Sequence, residues 1–415
     1  MAADVAAAVP GRDARVIGLV GAGHFLSHFY ILALPPLFPL LKEEFGVGYA
    51  ALGAALTLYN LAAGMAQAPV GFLVDRIGAR TVLTLGLAVE AAAVAFIGLS
   101  SSFGALLALL FVAGLADSVF HPSDYAILNA SVRRSRLGRA FSLHTFAGYV
   151  GFAVAPGTMI LLTGIWSWRA GLVIAGGVGL AVALVMLFSR DLLDNDARRE
   201  RPAGDAGAQR RNGGIGLLFS PPVLVCFLFY VATSMGSGGL QTFSVSALVS
   251  IYDAPLAAAN AALSGFLVAS ALGILLGGVV ADRIRRHGLA AGLGFAGAAL
   301  GAVVVATTSL GPMLLVGVFG FAGLVQGMAR PSRDMMVRAL TPEGASGRVF
   351  GFVCTGLNVG GAVSPLLFGW VIDLGAPRLV FVLAAVFLLV AAGLAVLAGT
   401  RWGNRKSEGT QDSAP

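Results

Sequence analysis

Three ionisable residues, Asp117, His121 and Asp124, recur at i, i+4 and i+7 inside an otherwise apolar stretch. In a helix that spacing puts all three on one face. Counting 209 residues onward, from 117 to 326, the corresponding positions hold Gln326, Arg330 and Arg333. His24 and His28 add another i, i+4 pair near the amino terminus. A histidine exchanges protons near physiological pH, whereas a guanidinium keeps its charge and grips anions through a planar set of donors. The chemistry on offer is therefore proton carriage by Asp117, Asp124 or a histidine, and anion contact by Arg330 and Arg333. A plainer account stands beside it: Arg333 and neighbouring Asp334 neutralise one another near a helix end, and His121 caps a turn kinked by Pro122.

The elements that hold these side chains are set by composition. Of 415 residues, 57% are hydrophobic and 11% charged, more apolar surface than a water-soluble globule can hide. Twelve apolar stretches, at roughly 16–40, 49–73, 80–99, 103–131, 139–163, 169–190, 220–250, 257–281, 288–309, 312–338, 347–373 and 377–400, match or exceed the length that spans a bilayer. About 20 helical residues cross a hydrocarbon layer ~30 Å thick. The 57 glycines and 17 prolines do not argue against helix in lipid, where glycine allows close helix approach and freed backbone groups find neighbours.

The second half repeats the first. At the offset of 209, His121-Pro122-Ser123 meets Arg330-Pro331-Ser332, Gly138-Arg139 meets Gly347-Arg348, and Gly151, Pro156 and Arg169 meet Gly360, Pro365 and Arg378. The expected fold is an all-α integral membrane protein of twelve helices in two pseudo-symmetric six-helix bundles. Residues 1–190 form one bundle, 191–219 a cytoplasmic loop, and 220–415 the second bundle with a short polar tail. A duplicated six-helix unit is the architecture of a rocking carrier.

The net charge of +7 is mostly accounted for by orientation, because Lys and Arg are retained on the cytoplasmic side. Arg76, Arg80, Arg133, Arg134, Arg136, Arg139, Arg283, Arg285 and Arg286 fall in the even-numbered loops. Both termini are thus expected in the cytoplasm, with the chain in the inner membrane of a bacterium. No soluble domain carries a basic face for nucleic acid. The apolar run after Arg12 and Arg15 is too long for a signal peptide, and Cys226 and Cys354 are read as packing residues without metal-like spacing. Gly292-Leu293-Gly294-Phe295-Ala296-Gly297 spells a dinucleotide fingerprint, but it lies within an apolar helix with no preceding strand. No phosphate loop, zinc-protease motif or serine elbow is present. Neither an enzyme nor a bound metal or cofactor is expected; the proton gradient supplies the driving force.

The decapeptide from Gly71 through Asp75, Arg76 and Gly78 to Arg80 resembles the cytoplasmic-loop signature of the major facilitator superfamily, with an echo at Gly278 to Asp282-Arg283. The resemblance implies a conformational latch: Gly71 for close helix contact, Gly78 for a tight reversal, and Asp75 with Arg76, Arg80, Asp282 and Arg283 for charge contacts that break as the halves rock. Ala79 replaces a residue that is commonly basic in the family. The segments Gly23-His24-Phe25, Leu40 to Phe45, Val119 to Pro122, Gly138 to Ser142 and Gly151 to Pro156 are similar to the fosmidomycin-resistance branch, which exports drugs in exchange for protons. The second half departs from that branch around Ala329 to Asp334, and the antiporter arginine expected near Leu110 is missing. By the same resemblance, the fourth and tenth spans line a central cavity.

Glu90 is expected in a peripherally packed span. Tyr30, Trp166, Trp168 and Trp370 are candidate interfacial anchors, and Tyr59, Asn60, Gln67, Tyr149, Gln241 and Asn358 are second-tier cavity residues. The function expected is proton-driven efflux of a small amphiphilic or anionic compound by a monomer that shares the bilayer with lipid and works by alternating access. Two other readings stay open: uptake of an anionic metabolite through the same residues, and a non-transporting receptor or scaffold that binds a partner through residues 191–215.

Overall fold

A computed structural model describes residues 11–133, 136–193, 215–341 and 346–403. The apolar stretches are helical, and no strand occurs among the described residues. Among the described residues, twelve helical spans are long and apolar enough to cross a membrane. In the first half they are Arg12–Phe45, Tyr49–Gln67, Ala79–Leu99, Phe103–Ser131, Ala140–Ile165 and Trp168–Phe188; in the second, Pro221–Tyr252, Leu256–Arg283, His287–Thr307, Pro312–Leu340, Val349–Asp373 and Arg378–Trp402. Most of the expected linker, residues 194–214, lies outside the described residues, as do Arg134 and the carboxy-terminal tail.

Local chemistry sets several helix ends. Ser102 Oγ accepts from the Ala105 amide at 3.2 Å and Ser167 Oγ from that of Ala170 at 3.1 Å. Each satisfies a donor that a helix start leaves unpaired. Gly46, at φ 61°, ends the helix Phe38–Phe45 in the left-handed conformation that favours glycine.

Packing divides the chain into two units, Met1–Ala33 with Leu58–Arg201, and Leu34–Thr57 with Pro202–Pro415. The division does not follow sequence order alone, and the contacts of Leu34–Thr57 explain why. Asp373 caps the helix that begins at Tyr49, accepting from the Tyr49 amide at 2.9 Å and from that of Ala50 at 2.7 Å. Thr57 Oγ1 donates to the Ala362 carbonyl at 2.6 Å, and Gly53 lies flat against the backbone of Pro365.

The repeat read from the sequence reappears as packing inside each unit. In the first, span 1 packs on span 5 and span 3 on spans 4 and 6; in the second, span 7 packs on span 11 and span 9 on spans 10 and 12. Gly114 abuts the carbonyl of Tyr59, and Gly323, 209 residues later, abuts that of Phe266. Gly151 abuts Phe25 in the same manner as Gly360 abuts Val231 and Ser234. A side chain at any of these four positions would collide with backbone or a packed neighbour, which is why small residues recur at helix crossings in lipid.

The repeat fails at one instructive place. Span 4 is two helices, Phe103–Asp117 and Phe120–Ser131, separated at Ser118 and Val119, where Pro122 has no N–H to offer the carbonyl of Ser118. Span 10 runs unbroken through Pro331. Asp117 ends one segment and His121 and Asp124 belong to the next, yet all three meet span 1, at Ser27 and His24, as the single face expected of them requires. Spans 1 and 7 are also irregular, with a 3-10 turn at Pro35–Leu37 and a π-helical stretch at Gly239–Phe243. Non-regular backbone at membrane depth persists only where protein or a cavity satisfies it, and π-helical stretches are frequent at functional sites.

Candidate functional site: a histidine and carboxylate cluster in the first unit

Beyond the interruption in span 4, Asp124 faces spans 1 and 5. Its Oδ2 lies 2.9 Å from His144 Nε2 and 3.6 Å from His24 Nδ1, and all three side chains are buried. The His24 and His144 rings stack, with centroids 3.8 Å apart and planes 19° from parallel. His28 tilts against His24 at 4.3 Å and His121 meets it edge-on at 5.3 Å. Four of the five histidines in the chain thus cluster, and two of them, His24 and His144, meet the Asp124 carboxylate.

Space for the cluster comes from Gly148, one helical turn after His144. A Cβ there would come within 2.8 Å of the His24 ring and 2.9 Å of His28. His121 is solvent-accessible rather than buried, and Tyr125 stacks near its ring at 6.0 Å. His24 Nδ1, His144 Nδ1 and Asp124 Oδ1 have no hydrogen-bond partner in the protein although buried. Each such group costs about 1–3 kcal/mol when left unsatisfied. Buried polar atoms are normally paired, so these three are free to meet a proton, a water or an ion.

Asp117 belongs to a second network on the other side of the helix break. Ser27 Oγ donates to Asp117 Oδ1 at 2.5 Å, and the Tyr59 hydroxyl donates to Glu90 Oε1 at 3.0 Å. Glu90 is fully buried, as the apolar run around it in the sequence implies. Ser27 lies between His24 and His28 on span 1, and links the two networks through one helix.

Between spans 1 and 5 there is also a cleft of about 740 Å3, lined among others by Ile17, Gly21, Phe25, Leu143 and Phe146. Asp13 and Arg136 also line it and form an ion pair at 3.3 Å, and Arg133 joins Asp13 at 3.2 Å. Leu143 flanks His144 and Phe25 flanks His24, so the cleft runs along the same two helices that carry the stacked rings.

In the second unit Gln326 is buried and donates to Ser237 Oγ at 3.0 Å. Arg333 Nε pairs with Asp334 Oδ1 at 2.8 Å, and its guanidinium lies 4.7 Å over the Tyr230 ring. The Tyr230 hydroxyl donates to the same Asp334 oxygen at 3.0 Å. For Arg333 the charge-neutralising account describes the geometry. Arg330 is half-buried on the same span.

Of the latch residues, Gly78 has φ 97° at the reversal into span 3, a conformation that side chains other than glycine rarely adopt. Gly71 faces open space rather than a neighbouring helix, which corrects the close contact expected of it. Arg76, Asp282 and Arg283 are exposed and Arg80 is half-buried; the side chain of Asp75 lies outside the described residues. Tyr30 and Trp168 are buried, and Tyr30 donates to the Ala175 carbonyl at 3.0 Å. They are packing residues, whereas Trp166 and Trp370 remain exposed. Cys226 is buried as expected and Cys354 is exposed.

His144, Ser27 and Tyr230 were not legible as site residues. A lone histidine in an apolar stretch with no partner at i±3 or i±4 gives no local signal, and its partners come from spans 1 and 4.

Comparisons with known proteins bear on what such a site serves. The chain matches the profile of the Major Facilitator Superfamily over residues 20–259 and 226–414. It is similar to the D-galactonate transporter of Escherichia coli O6:H1, 23% identical with 86% of this chain and 89% of that protein covered. It is also similar to the fosmidomycin resistance protein of Escherichia coli K12, 24% identical with 65% and 66% covered. Among solved structures, a bacterial homolog of the human lysosomal transporter Spinster superposes with a TM-score of 0.81 at 15% identity, covering 95% of this chain and 98% of that one. The fosmidomycin-resistance branch is one of several similar groups and not a distinct assignment. Twelve membrane-crossing helices, a duplicated six-helix plan and a profile match over nearly the whole length make this chain a multi-pass membrane transporter of the Major Facilitator Superfamily, not an enzyme.

Proposed function

We propose that the chain is a proton-coupled exporter of small amphiphilic or anionic compounds, working as a monomer in a bacterial inner membrane with both termini cytoplasmic. The observation that carries this reading is the buried Asp124–His144–His24 cluster beside the Asp117–Ser27 and Tyr59–Glu90 bonds. Ionisable groups at membrane depth are costly and mark proton or substrate paths. Asp124 and Asp117 carry the coupling proton, the histidines pass it between spans 1, 4 and 5, and Arg330 contacts the anionic group of the cargo. Alternation between inward- and outward-open states moves both, with Asp75, Arg76 and Arg80 holding one state.

Uptake of an anionic metabolite is the second reading, and similarity to a D-galactonate transporter favours keeping it. The test uses inverted vesicles with fosmidomycin and D-galactonate as probes. Compound accumulating inside inverted vesicles while protons leave supports export. Gradient-driven accumulation in intact cells instead supports uptake. If Asp117→Asn and Asp124→Asn leave the driven flux of a transported probe unchanged, proton coupling through these residues is wrong.

A further inference from the structure

We propose that His24, Asp124 and His144 form a binding site for a divalent transition-metal ion of the zinc type. One ligating atom from each residue lies within 4.8 Å of the others, and all three residues are buried. A zinc ion with bonds of about 2.0–2.1 Å holds its nitrogen and oxygen ligands roughly 3.3 Å apart in a tetrahedron. The Asp124–His144 separation of 2.9 Å and the Asp124–His24 separation of 3.6 Å bracket that spacing.

The donor chemistry points the same way. Two imidazoles and one carboxylate suit zinc, nickel or cobalt better than magnesium or calcium, which prefer all-oxygen shells. Among the described ion pairs, Asp124 has only histidine partners, so no lysine or arginine competes for the carboxylate. The rings lie stacked, 3.8 Å apart and 19° from parallel, so they must turn until both nitrogen lone pairs point at one ion beside Asp124. The ligands come from three separate helices, spans 1, 4 and 5, whose positions are set by the glycine crossings at Gly148 and Gly151. The accessible His121 ring, 5.3 Å from His24, marks a route by which an ion reaches the site. Three protein ligands leave a fourth position open, which a water or the acidic group of a compound can fill.

This inference stands on the geometry of the cluster; because the same residues are those given the coupling proton, a bound ion displaces that proton, and the test reads binding without transport so that the two readings fail separately. The test is titration of purified, tag-free, detergent-solubilised protein with Zn2+ alone and with Co2+ alone. The expected result is one Zn2+ per chain, proton release on binding, and visible d–d absorption of tetrahedral intensity with Co2+. His144→Gln and His24→Gln each weaken binding by at least about tenfold, the scale of losing a metal-site partner. His287→Gln, which alters the histidine of the second unit, leaves it unchanged. Metal-free melting temperatures identify any variant that fails to fold, and His144→Asp, which keeps a ligand, then restores binding. Absence of stoichiometric Zn2+ uptake by the unaltered protein overturns the proposal. So does uptake that persists undiminished in folded His24→Gln or His144→Gln.

Discussion

Asp124 and His144, on different spans and twenty residues apart in sequence, meet at 2.9 Å with both side chains buried. The contact joins span 4 to span 5, and His24 of span 1 lies 3.6 Å from the same carboxylate oxygen. Asp117, on the other side of the break, is held by Ser27 instead.

Gly148 is predicted to be as important to the cluster as its ionisable members. Gly148→Leu would force the His24 and His28 rings, now 2.8 and 2.9 Å from a virtual Cβ, to move. Overpacking of this kind costs about 1–3 kcal/mol. The expected outcome is folded protein with a lower melting temperature and impaired driven flux of a transported probe. Unimpaired flux would show that the stacked arrangement is dispensable.

The glycine crossings give a symmetric prediction. Gly114→Val and Gly323→Val place a branched side chain against the carbonyls of Tyr59 and Phe266, in equivalent positions of the two units. Both are expected to lower the yield of folded protein in membranes, by similar factors. A large effect from one and none from the other would contradict the structural equivalence of the halves.

Asp373 is predicted to act as a helix cap. Asp373→Ala removes two acceptor contacts from the amides of Tyr49 and Ala50, a loss of about 1 kcal/mol for a typical cap. Asp373→Asn keeps one acceptor oxygen and is expected to be milder. Thermal melts of the purified variants check the order.

Arg330 is predicted to select for anions. Among compounds that raise the melting temperature of the unaltered protein by binding its native state, carboxylates and phosphonates lose that effect in Arg330→Ala. Stabilisation by neutral or cationic compounds is unchanged. Equal losses for all compounds would assign Arg330 to folding instead.

The sequence carried the fold further than the site. Helical length in lipid is dictated by bilayer thickness, so the twelve spans and their repeat could be read from apolar runs and from pairs such as Gly151 and Gly360. The spacing of Asp117, His121 and Asp124 also gave their common direction toward span 1, but not the interruption of the helix at Ser118 and Val119. Pro331 at the equivalent position of span 10 leaves its helix continuous, so proline alone does not signal the break. His24, His28, His121 and Asp124 were visible as ionisable residues in apolar surroundings. His144 and Ser27 acquire meaning only when spans 1, 4 and 5 pack. For Arg333 the neighbouring Asp334 was the better guide than its membrane setting.

The central claim is that the buried Asp124–His144 pair carries the coupling proton, and proton movement in proteoliposomes tests it most directly. Protein is reconstituted with a pH-sensitive dye inside, and the compound that most raises its melting temperature is added outside. The unaltered protein is predicted to give compound-evoked proton flux, whereas Asp124→Asn gives none while still exchanging labelled compound across the membrane. Undiminished proton flux in Asp124→Asn would contradict the account.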